Sequence, residues 1–148
     1  MMFVCEKAIL LSAITRTSWA VSSKSTIPIM EGLLIDASDD KITLTGYDLS
    51  TGIQVTVPAN VQEEGKIVIN ARMFADIIRL LPDELVTFMA SDNMFAIITC
   101  ANVRHDVICL SANDYPALPE VESKYSLSLS ITSAFFFAIA LLTISACP

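Results

Sequence analysis

A CxxC pair, a Cys/His cluster and an uncharged N-terminal leader are all missing from this chain. Its four cysteines, Cys5, Cys100, Cys109 and Cys147, are widely separated. Three of them sit in apolar runs, where cysteine behaves as a small hydrophobe. They read as buried free thiols in a reducing compartment, which implies a cytoplasmic protein, and not as disulfides or metal ligands. The single histidine, His105, lies in an alternating segment and reads as structural. Ser22-Ser23 have no histidine near them to act as a base, so the pattern offers no activated nucleophile. The acidic pairs Asp39-Asp40 and Glu63-Glu64 read as turns, not as cation sites. Glu6 and Lys7 charge the region where a secretory leader must be apolar. No catalytic residue, metal or cofactor is expected.

Basic residues are scarce as well. Nine Lys and Arg stand against sixteen Asp and Glu, for a net charge of −7, which by its total argues against nucleic-acid binding. Residues 125–148 contain no Asp, Glu, Lys or Arg at all. The first 124 residues therefore read as an ordinary globular domain, with enough chain for one core, and the remainder needs a separate account.

What is present is periodicity. Met2–Cys5 suits a strand, and Glu6–Val21 a helix with Leu10, Ala13, Ile14, Thr17 and Val21 on one face. Ser22–Thr26 breaks it. Pro28 restricts Ile27 to extended geometry, so a strand is predicted over Ile27–Ile35. Alternating strands follow at Lys41–Thr45 and Ile53–Val57, with turns at Asp36–Asp40 and Gly46–Gly52. Pro58–Gly65 reads as a loop. Then the order recurs: strand Lys66–Asn70, helix Ala71–Leu81 with Phe74, Ile77, Ile78 and Leu81 in one stripe, and strands Leu85–Ala90, Met94–Cys100 and Val103–Leu110. A βαβββ unit repeated twice is an α+β arrangement, two amphipathic helices on one side of antiparallel sheets.

The helices gather the basic charge. Lys7, Arg16, Lys24, Arg72 and Arg79 belong to them or to the loop after the first, opposed there only by Glu6 and Asp76. An acidic protein with one basic face attracts a polyanion to that face and repels it elsewhere. So few basic residues, without interleaved aromatics, suit sparse, sequence-independent phosphate contacts.

The stretches FVCEKAILLSAI, AVSSKSTIPIMEGLLI, LTGYDL, INARMFADIIRLLP and NDYPALPEVE, in that order from Phe3 to about Glu122, together resemble the N-terminal domain of the bacterial sliding clamp, the beta subunit of DNA polymerase III. The resemblance implies the DNA-clamp fold over residues 1–122, with helices lining the inside of a ring. It implies non-specific contact with duplex DNA through Lys24, Arg72 and Arg79, with Arg16 and Lys7 as weaker candidates. It also implies a subunit interface through the hairpin carrying Arg104. A full-length relative forms a homodimeric ring and works with a clamp loader and the polymerase III alpha subunit. The partner-peptide groove of the family lies in later domains and is expected to be absent here.

Two features depart from that pattern. A domain of this size is about 30 Å across, so roughly six are needed to encircle a duplex, and this chain supplies one. Residues 123–148 read as the opening of a second clamp domain, with a strand at 125–131, running into an uncharged hydrophobic tail. The expectation is a chain truncated or frameshifted after about residue 130, its tail finding no cavity in the domain. The alternative is a free-standing α+β interaction protein anchored to a membrane by Ile131–Cys147, a segment near the minimum spanning length.

Overall fold

The computed structural model describes residues 1–22, 25, 27–91, 93–116 and 118, and the backbone of 143–146. Strand β1 (Met2–Glu6) leads into helix α1 (Lys7–Thr17) and a 3₁₀ turn at Ser18–Ala20. Strands β2 (Gly32–Ser38), β3 (Lys41–Tyr47) and β4 (Thr51–Pro58) complete the first unit. A short strand β5 (Asn60–Glu63) bridges to the second unit. That unit is β6 (Gly65–Asn70), α2 (Ala71–Leu80), β7 (Leu85–Ala90), β8 (Phe95–Cys100) and β9 (Val103–Ile108). Then come β10 (Leu110–Ser111) and, much later, β11 (Thr143–Ala146).

The two units exchange their first strands. One antiparallel sheet runs β5-β1-β7-β8-β9 and the other β10-β6-β2-β3-β4-β11. Each helix thus carries the chain from one sheet to the other, and each sheet is completed by a strand of the other unit. The inward side chains of both sheets and the buried stripes of both helices form one core. Phe3 stacks on Phe88 at 5.0 Å, and Phe74 from α2 meets Phe88 edge-on at 5.9 Å. The helical stripes correspond position by position, Leu10 with Phe74 and Ile14 with Ile78, and Thr17 at the end of α1 answers to Leu81 just past α2, all buried.

Two predicted elements are corrected. The strand expected over Ile27–Ile35 begins only at Gly32, because Pro28–Glu31 form a 3₁₀ turn. Proline's fixed φ opens a helical turn as readily as it enforces extension on the residue before it, and Ile27 is indeed extended (φ −112°). The loop expected over Pro58–Gly65 contains β5, which pairs with β1 across a register shift. Its residues are exposed or half-buried, so it carries no alternating apolar signal.

Three tight contacts hold the chain's motifs together. In the β3–β4 hairpin, Asp48 Oδ1 accepts from the backbone N–H groups of Ser50 (2.9 Å) and Thr51 (2.6 Å) and from the Ser50 hydroxyl (2.7 Å). The Ser50 hydroxyl and the Thr51 amide hold this carboxyl below the usual range. Gly46 lies against the end of α1, where an added Cβ would sit 2.2 Å from the Thr17 carbonyl oxygen. The buried Tyr115 hydroxyl donates to the Thr45 carbonyl (3.2 Å), tying the segment after β10 back onto β3. The β2–β3 turn places both Asp39 (φ 49°) and Asp40 (φ 56°) in the left-handed region, the signature of a type I′ connection.

The predicted strand at 125–131 lies outside the described residues. Part of the uncharged tail, Thr143–Ala146, pairs antiparallel with β4 from Thr51 to Gln54. A sheet edge thus offers these four residues backbone partners without any cavity being needed.

Candidate nucleic-acid interface

Helices α1 and α2 pack against each other and against the sheets. Burial of their apolar stripes leaves Ala8, Ser12, Thr15 and Arg16 exposed on α1 and Arg72, Met73, Asp76, Arg79 and Leu80 exposed on α2. Helix α2 is held at its start by Asn70, whose Oδ1 accepts from the Met73 amide (3.0 Å). It stops at Leu81, which is extended ahead of Pro82. Shallow grooves run beside both helices. One, of about 450 Å³, is lined by Lys7, Ala8, Leu11, Ser12, Thr15, Arg16 and Asp83.

The expected cationic residues differ in what they can offer. Arg72 and Arg16 are exposed and, among the described residues, make no ion pair. Arg79 is exposed and meets Asp76 at 3.0 Å one turn earlier. An exposed pair of that kind is worth a few tenths of a kcal/mol, so a phosphate can displace the carboxylate. Lys7 is different. Its side chain is only 12% exposed, its ammonium lies 2.8 Å from Asp83, and it donates to the Leu81 carbonyl at the end of α2. It caps the other helix's C-terminus, and its charge is spent on the fold. Asp83 also brings a third carboxylate to the layer. Lys24 lies outside the described residues.

Arg104 sits apart from the helices, exposed on β9, the edge strand of its sheet. Its guanidinium bonds Asp106 (Nε to Oδ1, 2.9 Å), and that hydrogen bond and charge raise its pKa further. His105 is half-buried on the same strand opposite Ile98. Ala101, in the β8–β9 turn, adopts φ 50°, a conformation in which glycine would be less strained. Cys5 and Cys109 are buried thiols whose pKa is pushed up to about 11 by burial, and Cys100 is buried too. Among the described residues no three His, Cys, Asp or Glu side chains are grouped to hold a metal. No helix there is long and apolar enough to cross a membrane.

Two features were not anticipated. The capping role of Lys7 depends on a partner far along the chain and leaves no local signal. Trp19 is 84% exposed at the end of α1.

A strand-exchanged pair of βαβββ units with a helix layer defines a clamp-type domain. The comparisons agree. Residues 1–119 match the family described as DNA polymerase III beta subunit, N-terminal domain. The chain is 36% identical over 141 residues to the beta sliding clamp of Synechocystis sp., covering 90% of this chain and 36% of that protein. It is 30% identical to the beta sliding clamp of Staphylococcus aureus, over 88% of this chain and 37% of the relative. The sliding clamp structure from Bacillus subtilis superposes with a TM-score of 0.81 at 32% identity, covering 84% of this chain and 35% of that one. The chain therefore belongs to the DNA polymerase III beta subunit family, by its N-terminal domain. It spans little more than a third of the length of these relatives. The membrane-anchored alternative finds no support in the comparisons.

Proposed function

We propose that this chain supplies the first domain of a DNA replication processivity factor, a sliding clamp that tethers DNA polymerase III to duplex DNA without catalysis of its own. The observation that carries the reading is the match of residues 1–119 to the clamp family. In this reading residues 1–122 form one clamp unit and 123–148 open onto the next. The helix layer faces the duplex, with Arg72, Arg79 and Arg16 as phosphate contacts and Lys24 as a further one from the loop after α1. The β9 edge with Arg104 meets another subunit in a homodimeric ring, and the clamp loader and the polymerase alpha subunit are partners of the complete ring. The setting is the bacterial cytoplasm.

So few phosphate contacts give weak, sequence-independent and salt-sensitive binding. Fluorescence anisotropy with a labelled duplex at low salt should show affinity no tighter than micromolar. An Arg72→Ala, Arg79→Ala double variant should weaken it equally for unrelated sequences and lower the slope of log affinity against log salt by about 2. A salt-resistant submicromolar complex, or a slope unmoved by the double substitution, would overturn the assignment of this face.

A further inference from the structure

We propose that Trp19 is a stacking platform for an unpaired nucleobase, so that the helix layer engages single-stranded nucleic acid next to its duplex contacts. The inference rests on the reading that this layer faces DNA.

The indole is 84% exposed although its neighbours in the chain, Thr17 and Ala20, are fully buried. The backbone that presents it is tightly fixed. The Thr17 hydroxyl donates to the carbonyls of Ala13 (2.9 Å) and Ile14 (3.1 Å), and the Ser18 hydroxyl donates to Ile14 (2.6 Å). The Val21 amide donates to the Ser18 carbonyl (3.2 Å), and Gly46 of β3 packs against the Thr17 carbonyl. A large aromatic ring held out on a rigid turn loses little entropy when a ligand meets it.

The surroundings select the ligand. Arg16 precedes Trp19 by three residues on the exposed side of α1, with Thr15 and Ser12 beside it. An apolar peptide or lipid tail would find these polar neighbours poor company. A nucleotide pairs a π-face with a phosphate, which an exposed indole three residues on from an exposed arginine complements. In a duplex the base faces are already stacked on each other. The ligand is therefore a strand with unpaired bases, whether free or at a single-strand to duplex junction.

The chain contains one tryptophan, so its intrinsic fluorescence reports this position alone. The intact chain is titrated at low salt with a short oligothymidylate and, separately, with a blunt duplex and with neutral phosphatidylcholine vesicles. Single strand is expected to quench the indole emission strongly and the duplex to quench it little. By anisotropy of the labelled strand, Trp19→Ala should weaken single-strand binding about fivefold or more, the effect of losing one stacked base, with Trp19→Phe intermediate. Duplex affinity should be unchanged, and circular dichroism should show both variants folded. If duplex binding responds to the Arg72 and Arg79 substitutions while single-strand binding ignores Trp19→Ala, the platform is refuted and the DNA-facing layer stands. If neither form of DNA binds, both readings fall. Emission shifted by vesicles but not by single strand refutes the platform in favour of a membrane-seeking surface.

Discussion

Lys7 shows how the fold can give a residue a task that its place in the chain does not announce. In sequence it is one more cation on a helix layer; in the structure its ammonium satisfies the terminal carbonyl region of α2 and meets Asp83. A lysine in the first turn of a helix is unfavourable to that helix's own dipole, and the gain comes from the neighbouring helix's opposite end. Lys7→Met keeps the aliphatic stem and removes the charge. Stability measured by urea denaturation should fall by about 2 kcal/mol, the scale of a charge-assisted hydrogen bond. Duplex affinity should not change. A loss of DNA binding with unchanged stability would return Lys7 to the phosphate contacts.

Among the elements, β4 has the most to reveal, because its outer edge is covered by β11 from the far end of the chain. An uncovered edge strand offers unpaired N–H and C=O groups to any extended chain. The ladder is short and lies at the rim, while the core is assembled from residues 1 to 109. Deleting residues 119–148 should leave the circular dichroism of helices and strands unchanged. Amide hydrogen exchange should then quicken at Thr51–Gln54 and stay slow in β1 and β7. Fast exchange throughout the molecule would instead make the C-terminal segment part of the cooperative core.

Taken as a whole, the molecule carries three buried acids, Cys5, Cys109 and Tyr115, whose protonated forms the fold favours. Burial pushes Cys5 and Cys109 up to about 11 from an ordinary 9.0, and Tyr115 up to about 12 from 10.0. Between those limits the unfolded chain holds fewer protons than the native one, so stability falls as pH rises. The contribution is complete below about pH 9 and is lost progressively towards about pH 12. Denaturation midpoints measured across that window should decline, and a Cys5→Ala, Cys109→Ala double variant should decline less steeply between about pH 9 and 11. An identical slope in that variant would show that other groups govern the alkaline limb.

Periodicity alone determined the two helices, most of the strands and the doubled βαβββ order, because a stripe such as Phe74, Ile77, Ile78 and Leu81 has only one way to bury itself. Local chemistry marked Asp39-Asp40 as a turn, and motif resemblance pointed to the clamp family. Other features waited on the tertiary structure. The polar edge strand Asn60–Glu63 has no buried face to write a pattern, and Pro28 permits either a helical turn or a strand until its neighbours are placed. The exchange of β1 and β6 between sheets, the seat of Lys7 on Leu81 and the exposure of Trp19 are decided by contacts between distant segments. Their energies depend on which surfaces meet, and a linear reading holds no information about meeting.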